Sequence, residues 1–499
     1  MSSLKELRNS RLEKLEKLKS LGVDCYPAKS HRDTLVGVIV GDFAQHEGKE
    51  VVVAGRVVSL RSHGSIVFVD LKDASGKIQV LVKKDGLTSA NHRNSELSFN
   101  DLSLLDEGDF IESNGIVLKS QRGEISIDAK SVRILTKSIR PMPGAWDGLK
   151  DKETRLRRRY LDTNINPEVY QRFLRRAKFW EAHREFFRKH GFYEINIPVL
   201  ELVPGGADAK PFVTHMDAID QDFYLRISQE LYLKRLIGGG YEKVYEIGPR
   251  FRNEGISDEH LPEHIAMEFY WAYADYNDGM EFIKELFRFV AQEVYGTQKF
   301  KMRGFEVDLS KEWEKIDYVK LMREKTGLDV LHPDDEKIKE VLKLYKIRLP
   351  AYSTSRAIDH VWKELRKDIA GPAFIVGEPK ALSPLAKSDP QNPLITQRFH
   401  PILAGSEQGN AFSELNDPVD QLARFREQQL MRESGDTEAQ FLDIDFVEML
   451  EYGMPPTFGY GHSERVFWFF EDVTAKEGVP FPQLKFELDE STKEIYGLT

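Results

Sequence analysis

Six residues between positions 224 and 275 have side chains that could act on one ligand: Arg226, Glu230, Arg252, Glu254, Glu268 and Tyr270. Arginines neutralise phosphate or carboxylate oxygens, and carboxylates beside a phenol can hold an ammonium. A substrate carrying both phosphate and ammonium suits such a set. The spacing around these residues indicates the elements that must position them. Leu231, Leu233, Leu236 and Ile237 recur at helical intervals and predict a helix over 228–239. VYEIGPRFRNEG then alternates, with Val244, Ile247 and Phe251 on the apolar rhythm, and AMEFYWAY after the loop 255–265 reads as a second strand. Strand, loop and strand make a long antiparallel hairpin with arginine and glutamate on its inner face. The competing reading is a salt-bridged strand pair on a solvated sheet face, because charges paired across strands are common.

Composition bounds the answer. A chain of 499 residues predicts two or three domains, and 41% hydrophobic with 30% charged residues is the balance of a soluble globular protein. A net charge of −10 argues against indiscriminate nucleic-acid binding but leaves room for a local basic surface. The single cysteine, Cys25, excludes a disulfide framework and fits a reducing compartment. No apolar run reaches membrane length, and no signal-peptide core opens the chain, so a cytoplasmic protein without membrane contact is expected.

In chain order, residues 3–21 place Leu4, Leu7, Leu12, Leu15, Leu18 and Leu21 near one helical stripe. Short alternating runs between 50 and 135 follow, separated by turns such as DASGK and SQRGE. Five strands at this spacing predict a small closed barrel, with the OB-fold as candidate. Such barrels hold single-stranded nucleic acid on one face. Phe68, between Val67 and Val69, reads from its neighbours either as core or as a stacking platform. Pro141, Pro143 and Gly144 break the chain, and the arginines of 155–159 follow as a solvated helix face or as phosphate contacts. A helix over 167–191 ends at Gly191, and FYEINIPVL reads as a strand whose Pro198 marks a sheet edge. Helices without site signals fill 300–370. GPAFIVGEPKALSPLA then reads as a buried strand and a kinked loop, and in PPTFGYGHSERVFWFF the glycines permit close backbone approach to a flat ligand. The predicted fold is α+β, with residues 1–138 a helix and barrel, 139–160 a linker, and 161–499 an antiparallel sheet flanked by helices.

FRNEG followed by MEFYWAYADY resembles the second signature motif of class II aminoacyl-tRNA synthetases. Helix, Gly191, strand and Pro198 resemble the first motif, which in that family builds a homodimer interface, and GYGHSER resembles the third. PGGADAKPFVT (204–214), LRISQELYLK (225–234) and SELND (413–417) are similar to the lysine-specific branch, the lysyl-tRNA synthetases, rather than to its aspartyl and asparaginyl relatives. The similarity spans about residues 5–480. It implies ATP-dependent ligation of L-lysine to tRNA(Lys) through a lysyl-adenylate, with AMP and pyrophosphate released and Mg²⁺ as cofactor. By the same resemblance Arg252 and Arg465 are catalytic. Gly206, Glu230, Glu268, Tyr270, Asn410, Phe412 and Glu414 bind lysine. Arg252, Glu254, His264, Glu407 and Arg465 bind ATP, and Glu407, Glu414 and His400 take the metal positions. In the barrel Phe68, Gln79 and Glu124 match residues that stack on and read the anticodon, with Arg56 and Arg61 toward phosphate or flanking bases. The partners implied are tRNA(Lys), lysine, ATP and a second copy of the chain.

Four departures stand out. Glu259 occupies the place of an arginine that reaches the γ-phosphate, and His264 that of a phenylalanine that stacks on adenine. His400 replaces a metal carboxylate, and the third motif carries an extra residue before Arg465. The chain has neither a GxxxxGK[ST] loop nor a GxGxxG after a strand, so ATP has to lie on the antiparallel sheet. Adenylation needs little acid–base help, because the amino-acid carboxylate is already a nucleophile and the protein has to position it and neutralise charge. Two other readings share these motifs: a ligase that places lysine on a protein or small molecule, and a non-catalytic RNA- or lysine-binding regulator.

Overall fold

The computed structural model describes residues 3–143, 149–349, 352–435 and 439–498. Two compact units form, Met1–Asp151 with Lys485–Thr499, and Lys152–Leu484. Part of the expected linker, residues 144–148, lies outside the described residues.

The first unit opens on the helix Leu4–Ser20, started by a capping box between Ser3 and Glu6, with Leu15 and Leu18 buried against the barrel core. Strands Glu50–His63, Ile66–Lys72, Lys77–Lys83, Ile125–Thr136 and Phe110–Lys119 close in that order into the five-stranded barrel. Alternation decides what faces inward: Val67, Val69 and Leu71 are buried, whereas Phe68 is half-buried on the outer face. A register shift between Val57 and Ser59 lets the long first strand bend around the closure. The expected second domain is shortened at its end. Lys485–Thr499 belongs to the first unit, where Arg8 and Arg140 lie 5.9 and 5.5 Å over the Tyr496 ring and Lys5 pairs with Glu494 at 3.4 Å.

The second unit is built on a nine-stranded sheet. Its order is Glu314–Asp317, Ala373–Val376, Arg398–Leu403, Asn410–Ser413, Thr457–Ser463, Glu263–Ala272, Lys243–Phe251 and Tyr193–Glu194, with Ser406–Glu407 paired to Arg398–Leu403. The interior pairs are antiparallel, and the pairs at the two edges are parallel. Helices Pro167–Lys189 and Tyr276–Tyr295 cover one face through an aromatic core that includes Phe187, Phe192, Phe269 and Phe282. The other face stays open over its middle strands, and the helix Glu230–Gly238 packs beside that opening. FYEINIPVL departs from the expected continuous strand. Only Tyr193–Glu194 and Leu200–Glu201 pair, and Pro198, which has no N–H to give a ladder, lies in neither. Of the arginines of 155–159, Arg155 and Arg157 pair with Asp162 and Glu153, and Arg159 turns inward. Arg159 is buried, bonds Asp162 at 2.8 Å and caps the carbonyls of Lys476, Val479 and Pro480.

Candidate active site

The register of three neighbouring strands builds the floor of the site. Asn410, Gly461 and Glu268 lie in one row across the sheet, and Phe412, Gly459 and Tyr270 lie in the next. Because side chains two apart share a face, both rows point into the same opening, and the two glycines leave the middle of the floor bare. Nothing larger fits there. A Cβ on Gly461 would sit 2.8 Å from Glu268 Cγ, and one on Gly459 would overlap Glu414 Oε1.

Two chambers of about 240 Å³ each open above this floor, and Arg250, Arg252, Asn410 and Gly461 line both. The first chamber brings together Gly206, Glu230, Glu268, Tyr270, Asn410, Phe412 and Glu414. Glu268 is held from four sides: Oε1 accepts from Ser228 Oγ at 2.7 Å and from the Gln229 backbone N–H at 3.1 Å and forms an ion pair with Arg250 at 3.0 Å, and Oε2 accepts from Tyr270 Oη at 3.0 Å. Glu230 and Glu414 are both buried, and both bond Lys234. Burial outweighs that cation and raises both carboxyls. Gly206 turns the chain at φ +80° over Ser228 and Glu230, a conformation that glycine adopts without strain.

The second chamber is lined by Arg252, Glu254, His264, Glu407 and Arg465, together with Glu259 and His260. Arg250 and Arg252, two apart, turn the same way at the end of their strand. Arg465, first residue of the helix Arg465–Phe470, donates to His260 Nε2 at 2.8 Å and to the Glu407 carbonyl at 3.3 Å. Glu259 accepts from Ser406 Oγ at 2.9 Å, so the carboxylate standing where an arginine is expected is tied to the neighbouring strand. His264 stays neutral, since burial and then Arg250 and Arg252 push its pKa well down. It presents an uncharged flat ring.

The expected metal set is not assembled. Glu414 lies in the first chamber on Lys234, apart from Glu407. His400 faces acceptors with both ring nitrogens, Nδ1 2.9 Å from the Gly409 carbonyl and Nε2 3.2 Å from Glu378 Oε1. Burial would lower its pKa, but Glu378 and Glu407 overcome this and raise it. Both ring nitrogens are engaged in this way, and His400 is not among the residues that line the second chamber. Among the described residues no group of three or more His, Cys, Asp or Glu side chains is arranged to hold a metal ion. Glu407 accepts from Trp362 Nε1 through Oε1, which leaves Oε2 beside His400 at 3.8 Å and toward the chamber. One carboxylate facing a phosphate chamber fits Mg²⁺, which takes one or two protein oxygens and completes its shell with phosphate and water.

Arg226 is not part of the site. It is fully buried, bonds Glu246 at 2.6 Å and the Pro249 carbonyl, and braces the hairpin from beneath. Sequence reasoning passed over Arg250, Ser228, Gln229, Lys234 and Glu378. The i, i+2 relation of Arg250 to Arg252 was a usable signal. Lys234, four residues after Glu230, has the spacing of an ordinary surface ion pair.

On the barrel, Phe68 and Gln79 lie on adjoining strands, and Glu124 immediately precedes the strand Ile125–Thr136. Asp70 faces Gln79 across the ladder, so Phe68 and Gln79 share the outer face, and Gln79 Nε2 donates to Glu124 Oε2 at 3.0 Å. Arg61 pairs opposite Phe68 and bonds Asp70 at 3.1 Å. Arg56 is placed otherwise: it packs 4.2 Å over the Phe110 ring and donates to the Gly108 carbonyl.

A five-stranded barrel and a sheet bearing two chambers that meet at arginines are the two parts of a class II synthetase. The family described as tRNA synthetases class II (D, K and N) matches residues 151–485, and the OB-fold nucleic acid binding domain matches 51–135. The chain belongs to the class II tRNA synthetases of the D, K and N group. Its relatives include proteins named lysine–tRNA ligase. That of Thermotoga maritima is 42% identical over 98% of this chain and 99% of its own length. Those of Thermoanaerobacter pseudethanolicus and a Roseiflexus species are 43% and 40% identical, each over 97% of this chain and over 96% and 99% of their own lengths.

Proposed function

We propose that this enzyme ligates L-lysine to tRNA(Lys) at the cost of ATP, through a lysyl-adenylate, with AMP and pyrophosphate released. The observation that carries the reading is the join between the chambers. A chamber walled by Glu230, Glu268 and Glu414 suits a side-chain ammonium, and it opens at Arg252 into a chamber with Arg465 that suits phosphates. Arg252 stands where the amino-acid carboxylate and the α-phosphate would meet, so it neutralises both as the carboxylate attacks and pyrophosphate leaves. Arg465 faces the far phosphates, and His264 offers its ring to the adenine. Glu407 would hold Mg²⁺, which when bound screens phosphate charge.

The outer face of the barrel supports tRNA as acceptor: Phe68 is half-exposed there for a base to stack on, and the Gln79–Glu124 pair lies on the same face. A homodimer fits the edge of the catalytic sheet and the segment that follows it, where Tyr193 on the edge strand and then Leu200 and Leu202 are exposed. Among the described residues no helix is long and apolar enough to cross a membrane, and we place the enzyme with translation in the cytoplasm. Lysine-dependent ATP–pyrophosphate exchange followed by transfer to tRNA tests the reading. Exchange that no amino acid stimulates would overturn it, and exchange without transfer would leave a ligase with another acceptor.

A further inference from the structure

The amino-acid chamber carries a cation of the protein's own. Lys234 is fully buried, and its Nζ lies 2.9 Å from Glu230 Oε1 and 2.6 Å from Glu414 Oε2. The rings of Phe446 and Phe412 lie 5.2 and 5.9 Å from the same nitrogen. Glu230 and Glu414 line the chamber and Lys234 does not, so the lysine stands behind the two carboxylates. Glu414 Oε1, in contrast, is buried with no hydrogen-bond partner and lies against the bare Gly459.

Two carboxylates, Glu230 and Glu414, share the single ammonium of Lys234. Glu268, beside them, is paired with Arg250 instead. Arg398, also on the wall, is engaged by Glu378 at 3.0 Å and by Asn410.

We infer that Lys234 is a positioning residue that sets the side-chain charge this pocket accepts. It holds one oxygen of each carboxylate, so that Glu230 and Glu414 turn their other oxygens toward a substrate bearing one ammonium. The inference rests on reading the chamber as the lysine site. Without Lys234, two buried carboxylates this close cannot both remain ionised. One takes up a proton, the pair closes on itself through a shared hydrogen bond, and the acceptors are withdrawn from the substrate.

The test is lysine-dependent ATP–pyrophosphate exchange by the full chain, Lys234→Ala and Lys234→Met. In Lys234→Ala the KM for lysine is expected to rise roughly tenfold or more while the KM for ATP stays within about twofold. Methylammonium, small enough for the vacated space, should bring the lysine KM back, and should do nothing for Lys234→Met, whose side chain fills that space. An unchanged lysine KM, or lysine and ATP constants that rise together with no rescue by the amine, assigns Lys234 to packing and overturns the inference. If Lys234→Ala does not fold, Lys234→Met carries the decision by the same split between the two constants. Loss of lysine dependence in the unmodified chain would defeat the reading of the chamber itself. Normal exchange with insensitivity at Lys234 would defeat this inference alone.

Discussion

His400 and Glu378 form a buried ion pair, with Nε2 3.2 Å from Oε1, and Arg398 closes on the other carboxylate oxygen at 3.0 Å. His400 lies on the strand Arg398–Leu403, facing Ile375 across the ladder, and Glu378 lies two residues past the end of the strand Ala373–Val376. A carboxylate at position 400 would therefore meet Glu378 rather than a metal ion. His400→Asp is expected to reduce pyrophosphate exchange and thermal stability, without lowering the Mg²⁺ concentration needed for half-maximal exchange. A Mg²⁺ titration of both proteins checks this, and a variant that needs less Mg²⁺ would restore His400 to the metal site.

The same pair fixes a pH dependence. Burial alone would raise Glu378 above its usual 4.5, but Arg398 and then His400 hold it down at about 2. A carboxyl depressed on folding contributes stability that is fully present above pH 4.5 and is lost as pH falls from 4.5 toward 2. The contribution is about 3 kcal/mol by linkage. Glu378→Gln should flatten that part of the acid limb of the stability curve relative to the unmodified protein. Chemical denaturation between pH 2 and 6 measures the difference. Parallel curves would mean that the pair adds nothing.

How much of this was legible in the sequence depends on what each residue meets. The hairpin of 243–272, the five barrel strands and the helix at 230–238 follow from period and punctuation, because local alternation decides them. The grouping of Glu230, Glu268, Tyr270 and Glu414 required the resemblance, since 184 positions separate Glu230 from Glu414 and no spacing links them. Lys234, Glu378 and the inward turn of Arg159 were not legible. Each is a charged residue whose burial is decided by a distant partner, and charged side chains read as surface until that partner is seen. The C-terminal helix Glu490–Tyr496 was hidden for a similar reason, as its packing rests on Arg8 and Arg140.

Glu230→Gln keeps the shape of the side chain and removes its charge beside Lys234. Removing one member of a desolvated ion pair costs about 2–5 kcal/mol. The lysine requirement in pyrophosphate exchange should therefore rise more than about tenfold, and the ATP requirement much less. Equal weakening of both would make Glu230 a structural residue.

Phe68→Ala removes the half-buried ring from the outer barrel face, where the ring of His63 approaches it edge-on at 6.3 Å. A stacked base is worth about 1–3 kcal/mol. Charging of tRNA should fall accordingly, and lysyl-adenylate formation should stay nearly intact. A fall in exchange as large as the fall in charging would place Phe68 in the fold rather than on tRNA.

Gly459→Ala tests the bare floor of the amino-acid chamber. Gly459 lies between Tyr270 and Phe412 in the sheet, and its backbone is in a conformation that any residue adopts, so alanine introduces no strain of its own. The added methyl would overlap Glu414 Oε1 and lie 2.5 Å from Tyr270 Cε1, displacing that acceptor. Overpacking of this kind costs about 1–3 kcal/mol in a fold that can relax. The loss should fall on lysine. Its KM should rise at least about tenfold while ATP binding changes little, because the ATP chamber meets the floor at Gly461 and not at Gly459. Paired KM measurements for lysine and ATP, with a melting curve to bound the loss of stability, give the answer. An unchanged lysine KM would mean that the ammonium sits away from Glu414 and Tyr270.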